Sequence, residues 1–168
     1  MSTFFKVLSA AIRPATLQPA PKMKRKRQYG ALPVRMKEGK LEVLLITSRG
    51  TARWIIPKGW PKKNTAPHKL ALLEAYEEAG IRGKIDRLEI GHYDYVKWID
   101  EHHSVACRVG VFVMKVRDEL TKWPEMDERT REWMSPEEAA GRVQEPQLAA
   151  LLMGLSAKPT DKKNRKAA

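Results

Sequence analysis

The sequence predicts an α+β domain, with a mixed β-sheet packed against helices. Three observations support that class. The chain has 168 residues, 42% hydrophobic and 31% charged, enough for one domain with a real core and too short for two ordinary ones. Strand-like apolar runs and helical patterns mix without regular alternation, unlike a doubly wound parallel sheet. No internal repeat is present.

Taken in order, Ala31 to Met36 and Leu41 to Ile46 flank the turn residues Glu38-Gly39-Lys40 and read as a hairpin. Trp54-Ile55-Ile56 is a short strand, stopped by Pro57 and Gly59. A helix is expected over about 66–79, with Pro67 in its first turn and Gly80 just past its end. Two longer strands follow, near 85–96 and 105–116. Ser135-Pro136-Glu137-Glu138 reads as a capping box opening a second helix, and residues 147–155 form a third helical run.

The formal net charge of +12 invites a nucleic-acid or membrane-surface reading, but its distribution argues otherwise. Residues 1–29 hold seven Lys/Arg and no acid, residues 156–168 hold five basic residues and one acid, and the middle has 20 basic against 19 acidic residues. The expected organisation is a basic extension over 1–28, a folded domain over 29–155 and a basic tail over 156–168. Nucleic-acid binding through the arms is conceivable but not expected. Phe4, Phe5, Leu8 and Ile12 could share one helical face. The short apolar run from Val7 to Ile12 has no small-residue cleavage pattern after it, which argues against a secretory signal. The acid-free start resembles an organelle transit peptide, so the expected location is cytoplasmic with organelle targeting as the alternative. The single Cys107 excludes a disulfide framework, and no run approaches the roughly 20 apolar residues of a membrane span. The oligomeric state is left open.

The chemistry is concentrated in Gly59 to Ile81. At 100° per residue, Glu74, Glu77 and Glu78 fall on one helical face, with Leu72, Ala75, Tyr76 and Ala79 opposite as a core stripe. Glu74 and Glu78 are one turn apart and can reach a single ion. Mutual repulsion of three carboxylates is relieved by a hard divalent cation, and oxygen ligands suit Mg²⁺ or Mn²⁺. Taken alone, Glu-x-x-Glu-Glu is an ordinary solvated acidic face. The preceding Pro57-Lys58-Gly59, between strand and helix, places backbone carbonyls and a Lys close to the same carboxylates or to phosphates they attract.

This segment resembles the Nudix signature, Gly-x5-Glu-x7-Arg-Glu-apolar-x-Glu-Glu-x-Gly-apolar. Gly59, Glu74, Ala75, Glu77, Glu78, Gly80 and Ile81 match at their offsets. Flanking segments, Leu44 to Arg49, Arg53 to Pro61, Trp123-Pro124-Glu125 and Trp133 to Ala139, resemble the diphosphoinositol-polyphosphate and dinucleoside-polyphosphate branch. The resemblance covers about 29–153. It implies an α/β/α sandwich around a mixed sheet, and Mg²⁺- or Mn²⁺-dependent hydrolysis of a phosphoanhydride in a phosphorylated small molecule. That substrate is a nucleoside diphosphate linked to another group or an inositol pyrophosphate. The resemblance also implies Glu74 and Glu78 as metal ligands, Glu77 as general base or shared ligand, and the carbonyl of Lys58 or Gly59 as a further ligand.

Two signature positions depart: Thr65 replaces Glu and Leu73 replaces Arg. On the wheel Leu73 lies beside Glu77, so a cation is missing there, and Leu70 and Leu73 add apolar surface near the acids. Three readings follow: an active site with altered tuning, a weakened phosphate-binding module, or replacement of the charge by Arg49, Arg53 or Lys58. Arg49, Lys58 and Gly59 are the substrate-binding candidates. Tyr93, Tyr95 and Trp98 alternate along a strand and read first as packing, with stacking on a base as the alternative. Lys97 reads as solvated. His92, His102 and His103 lack a partner set for zinc. Cys107 reads as a small core residue. Glu125, Asp127 and Glu128 form a second acidic cluster in a loop, more readily solvated than functional.

Overall fold

The computed structural model describes residues 24–156. The readings of Phe4, Phe5, Leu8 and Ile12, of the arm as far as residue 23, and of the tail from 157 onward fall outside the described residues. Eight strands, β1 (Lys26–Lys37), β2 (Lys40–Thr47), β3 (Trp54–Ile55), β4 (Lys58–Gly59), β5 (Ile81–Ile85), β6 (Gly91–Trp98), β7 (Ser104–Glu119) and β8 (Arg131–Met134), form one mixed sheet. Three helices accompany them, α1 (Pro67–Ala79), α2 (Pro136–Arg142) and α3 (Pro146–Ser156).

The centre of the sheet is a parallel pair, β1 against β7, in register from Lys26↔Cys107 to Val34↔Lys115. β1 and β2 form the expected hairpin, Val34↔Val43 to Lys37↔Lys40, with Glu38 and Gly39 at positive φ in the turn. Its alternating side chains feed two cores. Leu32, Val34, Val43, Leu45, Val109 and Val111 face α2 and α3 through Ala139, Leu148 and Leu152. Ala31, Leu44, Ile46, Phe112 and Met114 face α1 through Ala71, Ala75 and Ala79. Burial on both faces explains why these strands read as continuous apolar runs. The result is the expected α/β/α sandwich.

The expected strand over 85–96 is two strands. β5 and β6 lie end to end along the same edge of β7, β5 opposite residues 114–119 and β6 opposite residues 104–111. The residues between them stay attached, Asp86 N–H donating to Val113 O at 2.9 Å and Ile90 N–H to Val111 O at 2.9 Å. β4 and β8 were not read from the sequence: two and four residues are too few to show a period.

α1 begins at Pro67 with no side-chain cap and ends at Gly80, whose φ of 63° is left-handed. A Cβ at Gly80 would strike the Trp123 ring, so glycine is required there twice over. Its last turn carries no basic residue. Arg131 of β8 supplies the charge, donating to the carbonyls of Ala79 (2.8 Å), Gly80 (3.1 Å) and Leu120 (2.8 Å). α2 is capped by Ser135 Oγ, which accepts from Glu138 N–H at 3.1 Å. The Glu138 carboxylate does not close the capping box; it pairs with Arg142. Cys107 is fully buried, and no helix among the described residues is long and apolar enough to cross a membrane.

Candidate active site

The sheet-facing side of α1 carries small residues, Ala71, Ala75 and Ala79, so the helix packs closely. Glu74 and Glu78 are on that same side, each only 8% exposed. The acids and the core stripe are therefore adjacent, not opposed as the wheel suggested. Leu72 is half-buried and packs against that core as expected, while Tyr76 falls on the outer flank with Arg82 over its ring.

Glu74 and Glu78 open into a cleft of about 720 Å³ at the end of the sheet. Lys58, Gly59 and Arg49 line it too, so five of the six residues singled out from the sequence meet there. The sixth, Glu77, does not line the cleft. Its carboxylate is linked to it through Lys62 Nζ, which lies 3.9 Å from both Glu77 Oε1 and Glu74 Oε1. β4 presses against α1 because residue 59 has no side chain: a Cβ there would overlap the Glu74 carboxylate. The Lys58 N–H points at Glu78 Oε2 from 3.4 Å.

A cation beside Glu78 comes from Arg129, a residue the sequence reading did not single out. Its guanidinium, 6% exposed, is 3.2 Å from Glu78 Oε1 and 2.7 Å from Glu125 Oε2, and donates to Thr47 O at 3.1 Å. Of the expected substitutes, Lys58 also faces Glu78 and favours its charged form, while Arg53 and Arg49 are otherwise engaged. Arg53 is held by Gln144 Oε1 and Glu145 Oε1, both at 3.0 Å. Arg49 is 59% exposed and leans toward Glu125 and Glu128. Glu125 thus belongs to the cleft, not to a solvated loop. The only advance signal for Arg129 was its basic character beside that acidic cluster.

Leu73, one turn before Glu77 on α1, does not line the cleft. It lines a separate shallow groove with Lys69, Leu72, Tyr76 and Arg82 on the outer face of α1, while Leu70 is fully buried beneath the helix. An Arg at 73 would not point into the cleft.

Burial dominates the electrostatics. Desolvation raises the Glu78 pKa to about 7, with Arg129 and Lys58 opposing it and Glu74 reinforcing it. Glu74 is raised by burial and then by Glu77, against Lys62. Burial also pushes the Lys58 ammonium below its ordinary value, opposed by Glu78 and reinforced by Lys97 and Arg129.

Among the described residues no three His, Cys, Asp or Glu side chains close into a ready-made metal cage. The donor set still fits a hard cation of the Mg²⁺ type. Such an ion takes one or two carboxylates and completes its shell with waters and phosphate oxygens. Glu74, Glu78 and a backbone carbonyl of the 57–59 segment are the available protein oxygens.

Lys58 and Lys97 add a second feature. Lys58 Nζ sits 5.1 Å from the centroid of the Tyr95 ring, and Lys97 Nζ sits 5.2 Å from that of Trp60. Tyr95 also donates its hydroxyl to Gln28 Oε1 at 2.6 Å. Tyr95, Lys97 and Trp98 all line the cleft, and Tyr95 also packs against the core as expected. Tyr93 is indeed core, fully buried.

Paired carboxylates on a helix behind a cationic cleft, in a three-layer sandwich, form an arrangement that can hold a hard cation and phosphate groups. The sequence model of the NUDIX domain family matches residues 24–152, and the chain belongs to that family. It is 38% identical over 101 residues to human diphosphoinositol polyphosphate phosphohydrolase 3-alpha, covering 58% of this chain and 57% of that protein. It is 30% identical over 109 residues to Nudix hydrolase 16, mitochondrial, of Arabidopsis thaliana, covering 63% of this chain and 60% of the relative. The chain therefore spans little more than half the length of the curated relatives it matches. Among solved structures, a Caenorhabditis elegans Ap4A hydrolase superposes with a TM-score of 0.58 at 20% identity, over 80% of this chain and 98% of that one. At that identity the likeness establishes the fold.

Proposed function

We propose that the protein hydrolyses a phosphoanhydride bond with water as nucleophile and a divalent metal, Mg²⁺ or Mn²⁺, as cofactor. The substrate is a nucleoside-diphosphate-linked compound or a diphosphoinositol-polyphosphate-type compound. The observation that carries the reading is the pair Glu74 and Glu78, buried one helical turn apart and opening into a cleft lined by Arg49, Lys58 and Arg129. Names of the relatives, a diphosphoinositol polyphosphate phosphohydrolase and several Nudix hydrolases, agree with it.

In this reading Glu74 and Glu78 hold the metal, and the carbonyl of Lys58 or Gly59 adds a third oxygen. Bound there, the ion would neutralise phosphate charge and lower the pKa of water. Glu77, at the exposed end of the Lys62 bridge, is the general base or a shared ligand. Arg49, Lys58 and the Gly59 backbone receive the phosphates. Lys62 and Arg129 must release part of their hold on the carboxylates as metal and substrate arrive. The proposed location is cytoplasmic, with an organelle as the alternative in keeping with the mitochondrial relatives.

A second reading draws on Arg129 and Lys62, which already neutralise the carboxylates: a module that binds phosphorylated ligands without turnover, with the basic arms as tethers. Phosphate release with Mg²⁺ or Mn²⁺, measured on dinucleoside polyphosphates, nucleotide sugars, nucleoside triphosphates and inositol pyrophosphates, decides between them. Turnover that survives deletion of 1–23 and 157–168 and vanishes in Glu78→Gln supports the enzyme. Salt-sensitive binding without turnover supports the module.

A further inference from the structure

Successive side chains of β6 leave the sheet on opposite faces. Tyr93 and Tyr95 pack on the α2/α3 side. Asp94, Val96 and Trp98 therefore leave on the α1 side, opposite Arg108, Ala106 and Ser104 of β7. Arg27 is level with Arg108 on the other flank of β7, so Arg25 and Arg27 project on this face too. The ion pairs agree: Arg25 Nε lies 3.0 Å and Arg108 Nε 2.7 Å from the Asp94 carboxylate. α1 covers the sheet farther along, over Phe112 and Met114, and leaves this end of the face open. Trp98 is 67%, Ile99 58% and Val96 51% exposed, although Val96 and Trp98 also touch the rim of the cleft.

Charge is sorted around this apolar centre. Toward the middle of β7 lies the run Lys24-Arg25-Lys26-Arg27, all exposed. Asp94 answers Arg25 and Arg108 together and Glu89 answers Arg27, so positive charge is left over. At the opposite end lies the β6–β7 turn with Asp100 and Glu101, both exposed. The His102 and His103 N–H groups fix Asp100 there, at 2.8 and 2.9 Å. An exposed apolar patch with a polar rim marks an interaction surface. An acid–apolar–base order is complementary to itself after a two-fold rotation that reverses the strands. An anionic bilayer would suit the basic run and be repelled by the turn.

We propose that this face docks a second copy of the chain. Trp98, Ile99 and Val96 of the two copies form the centre, and the acidic turn of each lies over the basic run of the other. This goes beyond the hydrolase reading and stands apart from it, because its test involves no turnover.

Sedimentation velocity on the full chain, without metal or substrate, across the micromolar range is the measurement. The parent is expected to pass from monomer to dimer with concentration. Trp98→Glu and Ile99→Glu, both at exposed positions, should each raise the dimer Kd about thirtyfold or more, the scale of an interface anchor. Glu101→Lys and Arg27→Glu should each weaken association about tenfold, and the two together should recover most of the parent's affinity. A parent that stays monomeric throughout, a dimer untouched by Trp98→Glu and Ile99→Glu, or charge variants whose losses add without recovery overturns the proposal. So does a monomeric parent that binds phosphatidylcholine–phosphatidylserine vesicles and loses them in Trp98→Glu, since the occupant is then a bilayer.

Discussion

Arg129 and Glu78 stand 51 positions apart in the chain, yet the guanidinium lies 3.2 Å from the carboxylate and both side chains are almost fully shielded from solvent. The same Arg holds Glu125 and the end of β2 through Thr47 O. Arg129 therefore ties α1, the loop before β8 and the central hairpin at one point, beside the candidate metal ligands.

Removing that Arg strands two carboxylates. Arg129→Met is expected to lower stability by about 3 kcal/mol near pH 8, the usual scale for breaking a buried pair by deleting one partner. The loss should shrink toward pH 5.5, where Glu78 can take a proton. Urea unfolding at the two pH values checks this; a pH-independent loss would mean the Arg contributes packing alone.

Glu78 itself gives a signed pH dependence. Its folded pKa of about 7 lies above the ordinary 4.5, so between those values the folded protein binds a proton that the unfolded chain releases. The stability this proton confers is present at low pH and lost as pH rises through 7. Glu78→Gln should therefore stabilise the metal-free protein relative to the parent at pH 8 more than at pH 5.5. Thermal melts with chelator are the measurement. Saturating Mg²⁺ or Mn²⁺ should restore the parent at pH 8 and leave the variant unmoved.

Gly59→Ala forces a methyl group into the Glu74 carboxylate. The expected cost is about 1–3 kcal/mol in stability, with weakened metal binding because the carboxylate must swing away. A variant that binds Mn²⁺ like the parent would show that Glu74 has another place to go.

Leu73→Arg restores the signature residue but places it on the outer groove, away from the cleft. Hydrolysis rate and metal requirement are expected to match the parent. A clear gain in rate or metal affinity would mean that position 73 reaches the carboxylates in a conformation different from this one.

The fold was legible where chemistry and period agreed: the β1–β2 hairpin, the Pro67-to-Gly80 helix, the Ser135 cap. The spaced glutamates and Gly59 announced the cleft for the same reason, since they lie within one continuous strand–loop–helix. What could not be read was long-range. Arg129 enters the cleft from a loop some fifty residues beyond α1, and no local pattern distinguishes it from any other Arg. Leu73 neighbours Glu77 as the wheel has it, but a wheel gives angles around a helix axis and not the direction in which the sheet and cleft lie. Trp60 had no repeat or periodic partner to mark it; its significance is the Lys97 brought over it by β6.

The parallel pairing of β1 with β7 joins residues 81 positions apart throughout its register. A ribosome must therefore have delivered more than the first hundred residues before the middle of the sheet can close. Until then the β1–β2 hairpin carries an unmatched apolar edge. Folding speed and losses to aggregation should depend on how soon β7 arrives, so destabilising β7 should lower soluble yield in cells by more than its equilibrium effect implies.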